Sequence, residues 1–214
     1  MIASLDQVVF CPFILDTYAA KILEHFKGRK VILCGGQLSF FGMERLLKFI
    51  AESIRPEGIS IHFSTMNIEF REVYKLIALL KLNYLQSLRE LSIDAKCFGV
   101  LGVASVIAAL SGNNTLEVLF IDLCGDAKIV QILAPLFSTL ASNSKLQELH
   151  ILNAVLDRLS IEGLCYSCRN GLSSLSHLKL AYSKDAHPES EALVEICKNR
   201  TRIGKGISVV FEVE

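Results

Sequence analysis

The stretch Leu116-Glu117-Val118-Leu119-Phe120-Ile121 decides how this 214-residue chain is read. Alone it is an ordinary short strand. Its apolar residues, however, fall in a pattern: one, then two variable positions, a second, one variable position, a third. The chain repeats that pattern as Leu88/Leu91/Ile93, Leu116/Leu119/Ile121, Leu146/Leu149/Ile151 and Leu175/Leu178/Leu180. Successive copies start 28, 30 and 29 residues apart. A period of about 20 to 50 residues is the mark of stacked units, each burying its apolar side against the next.

Weaker copies flank the four. Val31/Leu33 and Ile59/Ile61 precede them and Ile207/Val209 follows, with Gly28, Pro56 and Gly204 in the first slot. The spacing predicts seven strands, at residues 31, 59, 91, 119, 149, 178 and 207, the unit from 59 to 91 being 32 residues long through a small insertion. End units of a stacked array face solvent on one side, so irregular sequence is expected there.

Between the strands the apolar spacing changes to 3 and 4, as a helix requires. Phe98, Leu101, Val103, Val106, Ile107 and Leu110 form one such stripe. Ile129, Val130, Ile132, Leu133, Leu136, Phe137 and Leu140 form another, and Leu156, Leu159, Leu164 and Cys168 a third. Earlier helices are predicted over 38–54 and 70–82, and a shorter one over 189–198. Each helix runs into a polar turn, as in Ser111-Gly112-Asn113-Asn114, Ser142-Asn143-Ser144 and Arg169-Asn170-Gly171. Asn and Gly tolerate the left-handed backbone that closes a helix, and that is the role expected of them here.

A unit of strand, loop, helix and turn in about 29 residues resembles the leucine-rich repeat, in its long ribonuclease-inhibitor-like class. The resemblance spans roughly residues 28–212. It implies an α/β solenoid, a horseshoe of about seven strand–helix units, with a parallel sheet on the concave face and helices on the convex face. Residues 1–27 do not fit the repeat and are expected to form an N-terminal cap, with Val8-Val9-Phe10 as a short strand and residues 13–26 as an amphipathic helix. Residues 28–214 then form the repeat domain, with no separate C-terminal cap. The family places Asn or Cys three residues after the last strand leucine, where it satisfies backbone groups. Here Cys124 fills that slot once, while Lys96, Ala154 and Ser183 stand in other units.

Bulk properties narrow the function classes. The chain is 51% apolar, and its mean hydropathy is +0.43, as expected when both the strand line and the helix face of each unit are buried. Twenty-two basic and 22 acidic residues balance, which argues against nucleic acid as a partner, since that calls for a basic stripe. Seven cysteines at irregular positions, most on apolar faces, fit reduced core thiols and a reducing, cytoplasmic compartment. Cys165 and Cys168 form a CxxC on one predicted helix, with no second ligand pair at metal spacing, so core packing is expected of them. The N-terminus carries an acid and no basic region, unlike a secretory signal. Residues 97–116 lack charge over 20 positions, but glycines, serines and asparagines dilute them and they fall on the repeat lattice, so no membrane span is expected. Gly35-Gly36 is followed by no phosphate-loop lysine and reads as a turn.

Side chains alternate across a strand, so the residues between the buried leucines can be read as the concave surface. The expected rows run Lys30, Gly58, Glu90, Val118, Glu148, His177, Gly206; then Ile32, Ser60, Ser92, Phe120, His150, Lys179, Ser208; then Cys34, His62, Asp94, Asp122, Leu152, Ala181, Val210. At their centre, Glu90, Asp94, Asp122 and Glu148 surround Phe120 beside His150. An aromatic ring rimmed by acids fits a docking anchor for a partner protein with a basic or mixed-charge surface. The predicted partner-binding residues are Glu90, Ser92, Asp94, Val118, Phe120, Asp122, Glu148, His150, Leu152, His177 and Lys179.

Catalysis has little sequence support. No nucleophile-elbow motif occurs. Asp94 and Asp122 share a row and are the one candidate carboxylate pair, of the kind a glycoside hydrolase uses. His62, His150 and His177 are expected on non-adjacent strands or in different rows, so no shared metal and no cofactor is predicted. The expected function is a non-catalytic protein-binding module, which the family resemblance suggests blocks or sequesters its target. The alternative is an adaptor, for instance one that recruits a protein to ubiquitin transfer. The degenerate repeats are also similar to those of effector proteins that intracellular bacteria deliver into host cells, which would place the chain in a host cytosol by a route outside the general secretory one.

Overall fold

The computed structural model describes residues 6–10, 22–23, 25–35, 37–53, 58–64, 66–68, 70–124, 137–138, 140–154, 158–182 and 208–213. The predicted helix over 189–198, and most of those over 13–26 and 129–140, lie outside these residues.

The strands are β1 (Gln7–Phe10), β2 (Lys30–Cys34), β3 (Gln37–Leu38), β4 (Ile59–Ser64), β5 (Asn67–Ile68), β6 (Leu88–Asp94), β7 (Val118–Asp122), β8 (Glu148–Ala154), β9 (His177–Tyr182) and β10 (Ser208–Val213). The helices are α1 (Phe40–Glu52), α2 (Phe70–Lys81), α3 (Ala95–Leu110) and α4 (Arg158–Asn170). The class is α/β. Eight strands form one parallel sheet in the order β1-β2-β4-β6-β7-β8-β9-β10. Apart from β3 and β5, which pair separately, this is the order of the chain. β1 therefore extends the same sheet as the repeats.

The leucine slots make the sheet's inner line. Val31, Ile61, Leu91, Leu119, Leu149 and Leu178 are successive register partners. All six are buried, none above 1% exposure. Leu88, Leu116, Leu146 and Leu175, the first slots, are buried as well. Helix residues such as Leu46, Ile50, Leu76, Val106 and Leu164 meet them in one continuous core. Each such side chain contributes about 1.5–3 kcal/mol on leaving water, which is why the period survives in the sequence.

The register corrects the predicted alignment of two strands. Leu91 pairs with Ile61, not Ile59, and Leu178 pairs with Val209, not Ile207. Counting from Val31 to Ile61 and from Ile61 to Leu91 gives 30 residues each, so the expected insertion disappears. A bulge at Arg89 absorbs the offset, since Ile59 pairs with Leu88 and Ser60 with Glu90. Gly58 permits it: its φ is +82°, and a Cβ there would lie 2.1 Å from Arg89 Cγ.

The turn asparagines also differ from expectation. Asn113 and Asn143 are buried and are not in the left-handed region; among the described non-glycine residues Asn83, Cys124, Asn153 and Leu172 are. Asn143 Nδ2 donates to Leu110 O (2.7 Å) and Asn113 O (3.0 Å), while its Oδ1 accepts from Lys145 N and Leu146 N (both 2.9 Å). Asn113 likewise donates to Leu80 O and accepts from Thr115 N and Leu116 N. Each asparagine thus ties one unit's turn to the previous unit and supplies partners that a buried turn would otherwise lack. Gly171 serves close approach, a Cβ there falling 1.6 Å from Ala141 O.

Cys97, one residue beyond the expected slot at Lys96, accepts a backbone hydrogen bond from Met66 N at 3.0 Å. It is 3% exposed, and burial pushes its pKa up to about 12. Cys165 and Cys168 are both buried on α4, and none of the five described cysteines is in a disulfide. α3 is broken at Gly99, whose φ of 65° and ψ of 168° are not helical. Among the described residues no helix is long and apolar enough to cross a membrane.

Candidate functional site

The strands alternate buried and half-buried residues, as in Val118–Asp122, where only Leu119 and Ile121 are fully buried. The buried set meets the helices. The other set lies on the opposite, open face of the sheet. The true register rewrites that face. One row is Lys30, Ser60, Glu90, Val118, Glu148 and His177. The next is Ile32, His62, Ser92, Phe120, His150 and Lys179. A third holds Asp94, Asp122 and Leu152.

The two-residue correction of β4 moves His62 into the row of Phe120 and His150. Ser92 stands between His62 and Phe120, and its small side chain lets the two rings approach to 6.2 Å between centroids, tilted by 34°. On the other side His150 stacks on Phe120 at 4.2 Å and 24°. Phe120 is therefore half-buried between two imidazoles. The expected separation of His62 and His150 into different rows is likewise overturned, although two strands lie between them.

Each imidazole has a carboxylate. His62 Nε2 is 2.8 Å from Glu90 Oε1, and Ser60 Oγ donates to Glu90 Oε2 at 2.8 Å. The His62 ring foremost, then the Ser60 hydroxyl and the Lys30 charge, outweigh the cost of burial and hold the Glu90 carboxyl below its ordinary value. Glu148 sits between two histidines, with Oε2 3.3 Å from His150 Nε2 and Oε1 3.9 Å from His177 Nδ1. His177 also lies 2.8 Å from the Ser176 hydroxyl.

Asp94 and Asp122 are register partners, as predicted. Both carboxylates hold local structure. Asp94 Oδ1 caps α3 by accepting from Cys97 N at 2.9 Å. Asp122 Oδ1 accepts from Cys124 N at 2.8 Å and from Asn153 Nδ2 at 2.9 Å. A bulge at Leu152–Asn153, where β8 shifts against β9, turns Asn153 toward Asp122.

A cavity of about 480 Å³ opens on this face. Of the predicted site residues, Glu90, Ser92, Asp94, Phe120, Asp122 and Leu152 line it. Val118, Glu148, His150, His177 and Lys179 lie on the same face along β7, β8 and β9. The structure adds Lys30, Ile32, His62, Phe63 and Ser64 to the wall. His62 is one of these missed residues. The signal for it was present, since a 30-residue count back from Leu91 reaches Ile61 and puts His62 opposite Ser92. Among the described residues no group of three or more His, Cys, Asp or Glu is placed to hold a metal ion. No protein-family model matches this chain, and no curated protein sequence matches it.

Proposed function

We propose that the chain is a leucine-rich-repeat-type solenoid whose open face is a non-catalytic docking surface for another protein, sequestering a basic patch of that partner. The observation that carries this reading is the assembly around Phe120. An aromatic ring is fixed between two imidazoles, each imidazole lies beside a carboxylate, and the group borders an open cavity. An anchor of large, rigid apolar area with charged surroundings is the pattern of an interface hot spot. The successive in-register strands, each separated from the next by about 4.8 Å, give such a face the breadth that repeat proteins use for recognition. The non-catalytic reading draws support from Asp94 and Asp122, whose carboxylates hold backbone N–H groups of Cys97 and Cys124. A reducing compartment is proposed from the buried Cys97, Cys165 and Cys168, none of which is in a disulfide.

Affinity capture with the full chain and with Phe120→Ala and Tyr74→Ala variants tests this. Tyr74 is an exposed residue of α2, on the helix side. A protein retained by wild type and Tyr74→Ala but lost with Phe120→Ala is the expected result. A partner lost with Tyr74→Ala and indifferent to Phe120 would place the docking surface elsewhere.

A further inference from the structure

We infer that the cavity beside Phe120 receives one arginine side chain of the partner. This rests on the docking reading above and gives it a chemistry. The cavity wall combines an aromatic surface, the rings of Phe120 and His62, with the carboxylates of Glu90, Asp94 and Asp122. Three carboxylates stand against one ammonium, that of Lys30. The site is therefore complementary to a cation.

Geometry favours a guanidinium over an ammonium. A guanidinium is flat, stacks on an aromatic face and offers its donors as a fork that matches carboxylate oxygens. The volume of about 480 Å³ lies within the range of about 300–1,000 Å³ typical of small-ligand sites, so an extended side chain fits with room for its stem. The hydrogen bonds from Cys124 N and Asn153 Nδ2 both fall on Asp122 Oδ1. A carboxylate offers about four acceptor positions, so Asp122 keeps capacity for an incoming donor without giving up its structural role. Glu90 stays ionised because His62 and Ser60 hold its charged form. Ile32 and Leu152 supply apolar wall for the methylene stem.

The probe is N-acetyl-arginine methylamide, titrated into the isotope-labelled full chain and followed by amide chemical shifts. Saturable shifts at Ser92, Phe120 and Asp122 are expected, with weaker ones for the lysine analogue and none for the uncharged, isosteric citrulline analogue. Asp122→Asn and Phe120→Leu should each weaken the arginine response about tenfold or more, the range of one lost charge-assisted or stacking contact. Glu90→Gln, which preserves shape, should weaken it in the same direction and guards against loss of fold at Asp122. Equal responses to the arginine and citrulline analogues, shifts confined to another region, or no shift up to the solubility limit would each overturn the inference. A captured partner that needs Phe120 but tolerates replacement of every surface arginine would sink the arginine pocket and leave the docking face standing. A partner indifferent to Phe120 would sink the docking face whatever the probe does.

Discussion

The imidazole of His150 lies almost flat against the ring of Phe120, with centroids 4.2 Å apart and planes 24° from parallel. Neighbouring strands put the two residues directly opposite each other. The stack holds Phe120 in one orientation, and His150 is itself held by Glu148 at 3.3 Å. A ring already immobilised loses little rotamer freedom on binding, which strengthens an anchor.

Phe120→Ala should therefore weaken partner binding by about 2 kcal/mol or more, about 30-fold in Kd, with a loss of fold stability of only about 1 kcal/mol from the stack. Calorimetry on the captured partner and a urea melt of the free chain measure the two separately. A large stability loss with unchanged affinity would mean that the ring is structural.

Glu90 makes the stability of the sheet pH-dependent. Its carboxyl is held below its ordinary value of 4.5 in the folded chain, chiefly by His62. The stabilisation is complete above the unfolded value and is lost as pH falls through the lower, folded value. Glu90→Gln should flatten the decline in stability that wild type shows on acidification below the ordinary value of 4.5, read from urea midpoints. Parallel pH profiles for the two proteins would contradict the assignment.

Asn143 closes four hydrogen bonds within a buried turn. Asn143→Ala should cost about 3 kcal/mol, because backbone groups are left buried without partners, and should lower Tm by about 10 °C. Asn170→Ala is the control. That residue is exposed and bonds Tyr166 O within its own helix, so the change should stay near about 0.5 kcal/mol.

The Cys97 thiol should resist alkylation in the folded chain and react on unfolding, since burial raises its pKa to about 12 from an ordinary 9.0. The raised value contributes stability that is whole below 9.0 and is lost as pH climbs toward about 12. Cys97→Ala should destabilise more than Cys97→Ser, because serine keeps an acceptor for Met66 N–H. Thermal melts of the two variants above and below about pH 9 check both points.

The sequence alone determined the parallel order of the strands and the buried line Leu91, Leu119, Leu149 and Leu178, because a missing leucine in a stacked core costs several kcal/mol and the spacing cannot drift. It also placed Phe120, Asp94 and Asp122 on one face, since alternation along a strand depends on parity alone. Register within that face was another matter. Ile59, Ile61 and Phe63 are all apolar, and a two-residue slip returns every side chain to the same face, so burial cannot choose between the alignments. The tertiary structure chose, through the tight approach of Gly58 to Arg89 and the bulge that follows. That choice brings His62 to Glu90 and within reach of Phe120, making a cavity out of contacts between residues about 30 positions apart along the chain.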